Sequence, residues 1–284
     1  MEISFDEIKN ELQGSSGLIK LIREKHLPNT SEMATIAQSE YENQINDFSN
    51  IDLALDTLLK LEYTSFKEKQ KQVVDNFIEF ADNDAVKNKF PIVRKIIDDY
   101  KIAIADQGEP TKLLSGIINI TVALADSNRQ ARVARAGSSL ANHISYLLNK
   151  HGFVPKKDFQ KDFLLKSGSK LDFFFPNLEV FNEDPKNCVA VACQTTSNDR
   201  FRLTFAQMPH FTRNRACTAI GSTNFGKKLG PASLTINKLE EAKENGVKFV
   251  ILANALDERL KKSKAVISYQ EWFEELGNLK KAWA

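Results

Sequence analysis

Apolar positions recur with two different periods along the chain, and the change falls near residue 152. Before it, hydrophobic side chains return every three to four residues, the spacing that lines one face of a helix. SFDEIKNELQ opens with Ser4 and Glu7 in the Ser-x-x-Glu arrangement that caps a helix N-terminus. IDLALDTLLKLEYTSF, KQVVDNFIEFADN, FPIVRKIIDDYKIAI and KLLSGIINITVALAD continue the helical spacing. QGEPTK at 107–112 is a break between helices, and a further long helix is predicted from Ser127 to near Gly152. After residue 152 come short apolar runs of strand length: LDFFFP, VAVACQ, ACTAIGS, VKFVILAN and AVIS. Between them lie RFRLTFAQM, SLTINKLEEAKENG and SYQEWFEELG, which read as helices. Strands alternating with helices predict an α/β (α+β) core, a mixed sheet flanked by helices. The division expected is a helical accessory or dimerisation domain over 1–126 and an α/β domain over 127–284. A single α/β domain with a helical lid is the alternative.

Composition narrows the class without naming it. Charged residues make up 27% and hydrophobic residues 42% of the 284, which is ordinary for a globular chain. The net charge of +2 averages over faces, so a basic cleft can coexist with an acidic shell. Asp82, Asp84, Asp98 and Asp99 lie early, whereas Arg129, Arg132, Arg135, Arg200, Arg202, Arg213 and Arg215 come later. That asymmetry suits a phosphate-facing second half. Cys188, Cys193 and Cys217 have neither disulfide-framework nor zinc spacing, and a reducing cytoplasm is expected. His26, His143, His151 and His210 form no HExxH. No apolar run reaches membrane-spanning length, and MEISFDEIKNEL has no signal-peptide pattern.

The chemistry concentrates between Lys170 and Gln207. KLDFFFP is a hydrophobic strand with one acid, Asp172, closed by Pro176. CVAVACQ is a strand of buried type that ends at Gln194 and runs into TSNDRFR. A carboxylate on one strand facing a polar residue at the end of the next suits a hard cation such as Mg²⁺, which takes carboxylate, water and phosphate oxygens. The plainer role for Asp172 is a carboxylate bonded to a nearby lysine or backbone N–H. Asp199 and Arg200 are adjacent, so one helix N-terminus presents both to a C:G pair, or they pair with each other as a cap. Arg213, Arg215, Lys227 and Lys228 are either phosphate contacts or solvated loop charges. GSTNFGKKLGP lacks the spacing of a nucleotide-binding loop.

RVARAGSSL, then LDFFFP, then VAVACQTTSNDRFR resembles the catalytic domain of type II restriction endonucleases of the EcoRII/SsoII group, within the PD-(D/E)XK nuclease fold. The resemblance covers about residues 129–270 and rests on Arg135 with Gly137 and Leu140, Asp172 with Pro176, and Thr196 through Arg202. By position, Asp172 is similar to that family's metal-binding aspartate. Gln194 stands at its catalytic lysine, and Gln207 at a second metal-binding glutamate. Ala141 falls where a glutamate is common, and Leu171 replaces a proline. Asn198, Asp199, Arg200 and Arg202 match the recognition segment that reads C:G pairs. The resemblance implies an Mg²⁺-dependent endonuclease of a restriction–modification system, a homodimer cutting double-stranded DNA at a short palindrome. Glutamine replaces the lysine in some nucleases of this fold. Glu179, Glu183 and Asp184 are the acids nearest in sequence to assist Asp172, though a solvated turn suits them better. The substitutions at 141, 194 and 207 favour the alternative, a DNA-binding protein that has lost its metal site. Retention of Asp172 together with the recognition segment favours the nuclease, which is the expectation adopted.

Overall fold

The computed structural model describes residues 4–14, 16–83, 86, 88–106, 110–164, 170–194, 211, 213–222 and 230–283. The helices are α1 (Phe5–Leu12), α2 (Leu18–His26), α3 (Thr30–Gln44), α4 (Ile51–Asp75), α5 (Phe77–Asp82), α6 (Pro91–Asp106) and α7 (Pro110–Lys150). After the strands begin come α8 (Leu178–Glu183), α9 (Ile236–Glu244), α10 (Glu258–Lys261) and α11 (Tyr269–Trp283). The strands are β1 (Gln160–Leu164), β2 (Lys170–Phe175), β3 (Val189–Gln194), β4 (Arg213–Thr218), β5 (Val247–Ile251) and β6 (Val266–Ser268).

Among the described residues, six strands form one sheet in sequential order β1-β2-β3-β4-β5-β6. The first two pairings are antiparallel and the last three parallel, so the expected mixed sheet is present. The sheet is covered on both faces, which is why its strands read as continuous apolar runs and not as alternation. Phe173 and Phe175 pack on one side with Val189, Val191 and the helix residues Leu140, Ile144 and Trp272. Phe174 packs on the other side with Cys188, Ala190 and Phe211. Each of the three phenylalanines is fully buried and contributes roughly 2–3 kcal/mol relative to exposure. At the end of β4 the chain turns through Gly221, whose φ is +102°. A Cβ there would lie 2.3 Å from Asn254 Oδ1, so only glycine fits.

The chain divides into two units, Met1–Met33 with Thr64–Arg135 and Ala34–Tyr63 with Ala136–Ala284. This differs from a cut at 126/127, because residues 34–63 belong to the α/β unit. Asp52 shows the physical reason. Its buried carboxylate accepts the N–H groups of Ala253 at 2.8 Å, Tyr269 at 3.3 Å and Gln270 at 2.9 Å, capping α11. Glu62 of α4 makes a second tie, accepting Ser139 Oγ at 2.7 Å and meeting His143 Nε2 at 2.7 Å, all three side chains buried. In the helical unit, Ile8, Leu12, Ile19, Ile22, Phe66, Phe77 and Val93 share one apolar cluster. The Ser4–Glu7 capping box is present as predicted.

Two other expectations need correction. The helix expected to begin at Ser127 is the second half of α7, which runs unbroken through 41 residues. Strand β1 went unpredicted: QKDFL is an edge strand with mostly polar side chains and no apolar run to announce it. Among the described residues, no helix is long and apolar enough to cross a membrane.

Candidate active site

Asp172 sits in the middle of β2, where the regular pairing with β3 stops at Phe173 opposite Val191. Beyond that pair the Asp172 carboxylate takes over, Oδ2 accepting the Cys193 N–H at 2.7 Å. The acid therefore lies against the backbone of the residue that precedes Gln194. Strict alternation fails here, since Leu171 and Phe174 share one apolar cluster while Phe173 belongs to the other. The plainer role expected of Asp172, a carboxylate bonded to a backbone N–H, is thus realised in part. Burial pushes its carboxyl above the ordinary value; the Cys193 N–H, Lys170 and Lys161 pull the other way.

Three charged neighbours come from the β1–β2 hairpin. Register places Lys161 opposite Phe173 and Phe163 opposite Leu171, so Asp162 falls opposite Asp172. Asp162 adopts a φ of +56°, an uncommon conformation for a side chain with a Cβ. Its carboxylate pairs with Lys170 Nζ at 2.6 Å, both side chains more than half exposed. Lys161 is half-buried, and its Nζ donates to Asn142 Oδ1 of α7 at 2.5 Å. The same stretch of α7 carries Gly137, where an added Cβ would sit 3.4 Å from the Cys193 carbonyl oxygen. Helix α7 thus closes on the end of β3. Ala141, one residue from Asn142, is buried in the apolar core.

The other predicted positions scatter. Gln194 ends β3 and is half-buried. Arg213 begins β4 and is exposed. Arg215 is a correction: its side chain is 4% exposed and its NH2 group lies 2.6 Å from Glu275 Oε1 of α11. Its Nε donates to Glu275 Oε2 at 3.3 Å and NH1 to the Asn214 carbonyl at 3.0 Å. A guanidinium held in that way is structural and does not suit a phosphate contact. Arg135 belongs to the helical unit, stacked over Phe66 and donating to the Pro28 carbonyl at 2.7 Å. Asp184 caps a short turn through Lys186 N–H at 3.0 Å, and Glu179 lies in the first turn of α8. Asn198, Asp199, Arg200, Arg202, Gln207, Lys227 and Lys228 lie outside the described residues. Among the described residues, no three His, Cys, Asp or Glu side chains converge as a metal cluster. Lys161, Asp162 and Asn142 are neighbours that sequence alone does not reveal, since only the hairpin register and the Asn142 bond bring them to this end of the sheet.

Residues 105–219 match the family described as EcoRII C terminal. Over 90 residues the chain is 31% identical to the type II restriction enzyme EcoRII of Escherichia coli, a match covering 31% of this chain and 22% of that enzyme. The chain therefore spans well under two thirds of this curated relative. Metal-depleted Ecl18kI in complex with uncleaved, modified DNA superposes with a TM-score of 0.72 at 14% identity, over 99% of this chain and 86% of that one. The restriction endonuclease PspGI in its substrate DNA complex gives a TM-score of 0.60 at 15% identity, over 89% and 93%. The chain thus has the fold of these two restriction endonucleases and, over residues 105–219, is similar to the EcoRII C-terminal family.

Proposed function

We propose that the chain is a site-specific, Mg²⁺-dependent DNA endonuclease, acting as a homodimer on a short palindrome that contains C:G pairs. The observation that carries this reading is Asp172, a largely enclosed carboxylate at the splayed ends of β2 and β3, in a chain with this fold. Two-fold symmetry of a dimer would match two-fold symmetry of the site.

The donor at hand suits a hard cation: Asp172 offers carboxylate oxygens, to which water and phosphate oxygens would be added. Burial disfavours the ionised form of Asp172, and a divalent cation would offset that cost. Such a cation, when bound, supplies Lewis-acid polarisation of the phosphate and a more acidic water. Gln194 orients water by hydrogen bonding, without positive charge. Gln207 would add a neutral oxygen where a carboxylate serves better, so metal affinity should be weak. Asp199 and Arg200 would read a C:G pair, Asp199 accepting from cytosine N4 and Arg200 donating to guanine O6 and N7. Asn198 and Arg202 flank them. Arg213, Lys227 and Lys228 would contact phosphates.

Cleavage of a random-site plasmid library in Mg²⁺ or Mn²⁺ tests this. Discrete fragments with a shared sequence at their ends are expected. A chain that retards C:G-containing duplexes yet cuts nothing in either metal is instead a DNA-binding protein of the same fold. Ala141, Gln194 and Gln207, standing where the resemblance implies a glutamate, a lysine and a second glutamate, favour that second reading.

A further inference from the structure

Two lysines, Lys170 and Lys161, neighbour Asp172, and the two are held differently. Lys170 is ion-paired with Asp162 and exposed, so its charge is largely answered where it stands. Lys161 is half-buried and bonded to a neutral amide, Asn142 Oδ1, which leaves its positive charge uncancelled by that partner. Register sets Lys161 across from Phe173, one position from Asp172. Asn142 belongs to the stretch of α7 that reaches the Cys193 carbonyl through Gly137. Four elements, α7, β1, β2 and β3, thus converge around one ammonium and one carboxylate.

Resting on the nuclease reading above, we propose that Lys161, held by Asn142, is the cation of the cleavage site, doing from β1 what Gln194 cannot do from β3. A phosphodiester gains negative charge as it is cleaved, and a fixed ammonium in a partly enclosed site stabilises that charge. Asn142 is a positioning residue, since it fixes where the ammonium sits. The idea predicts a relocation. A lysine placed at 194 should make Lys161 dispensable, because the end of β3 borders the same carboxylate.

The full chain is compared with Lys161→Met, Lys161→Arg, Lys170→Met and the double variant Lys161→Met/Gln194→Lys. Three quantities are read: plasmid-library cleavage in Mg²⁺, duplex affinity in EDTA, and the urea midpoint from tryptophan fluorescence. Lys161→Met should lower cleavage by about 100-fold or more, at unchanged duplex affinity and midpoint. Lys161→Arg should keep part of the activity, Lys170→Met most of it, and the double variant should regain it. Full activity in Lys161→Met overturns the inference and leaves the nuclease standing. So does a loss accompanied by a lower midpoint or weaker binding, or one that Gln194→Lys does not reverse, because Lys161 is then structural. Absence of cleavage by the unaltered chain, with DNA binding intact, overturns the nuclease reading and this inference together.

Discussion

Arg215 separates a structural arginine from a DNA-binding one, and its replacement by methionine has a calculable outcome. The side chain is enclosed and engages Glu275 through two nitrogens, with a third donating to the Asn214 carbonyl. Removing one partner of a buried ion pair costs ~3–5 kcal/mol, because the other charge is left without compensation. Glu275 is 30% exposed and retains Lys248 Nζ at 3.3 Å, which lowers the cost. The Asn214 carbonyl loses a donor, which adds to it. We expect a net loss of ~2–3 kcal/mol. Both tryptophans, Trp272 and Trp283, lie on α11 in the α/β unit, so fluorescence in urea reports that unit's unfolding. Burial alone would raise the Glu275 carboxyl, but Arg215 and then Lys248 hold it below its ordinary 4.5. A depressed folded value contributes stability above pH 4.5 that disappears as pH falls through the lower folded value. The deficit of Arg215→Met should therefore be full at pH 7 and shrink in acid. DNA affinity should keep its salt dependence, whereas losing a phosphate contact lowers the slope by about 0.9. A stability change under ~0.5 kcal/mol with a slope reduced by about that amount would refute the structural assignment.

Asp172→Asn should abolish cleavage, leave duplex binding intact, and hold or raise the thermal midpoint. The raised carboxyl means that ionisation opposes folding as pH rises, and asparagine removes that cost. A clear drop in midpoint would show that the Cys193 N–H bond outweighs burial. Asp52→Ala orphans two backbone N–H groups at the start of α11 and that of Ala253 after β5, and should destabilise the α/β unit by ~2–4 kcal/mol in the fluorescence assay. Unchanged stability would mean that water replaces the carboxylate. Arg200→Ala should cost ~1–3 kcal/mol on specific duplex and little on random duplex in competition binding. Equal losses on both would make Arg200 a phosphate contact.

The parts of the fold that were legible are those where burial leaves an unbroken mark. KLDFFF and VAVACQ read as strands because helices or loops cover both their faces. Asp172 stood out because it interrupts such a run. Strand β1 did not, since an edge strand carries lysine, aspartate and glutamine where water reaches it. The assignment of residues 34–63 was illegible for a different reason. A helix packed on a sheet has the same 3.6-residue period as one packed on helices, so only partners such as Ala253 and Gln270 reveal where Asp52 belongs. The helix start expected at Ser127 is absent because α7 continues through it, and helical spacing on both sides leaves no sign of which segments are joined. Arg215 lies in a strand read only for its apolar members, and its carboxylate partner is 60 residues distant in sequence. The Lys161–Asn142 contact has the same character: each residue alone is unremarkable, and their proximity is created by register.

The interleaving of the two units along the chain has a consequence for biosynthesis. Residues 34–63 leave the ribosome early, yet the sheet and helix they cover are encoded after residue 136. During that interval Tyr41, Leu55 and Leu58 have no permanent surface to cover, although all three end in the core of the α/β unit. A nascent chain in that state presents sticky helices to chaperones and to other nascent chains. Slower translation across 64–135 would lengthen this exposure, and chaperone depletion should lower soluble yield more than it lowers the stability of chain already folded. For the same reason, a clone beginning at residue 127 would carry the sheet without the segment that caps α11.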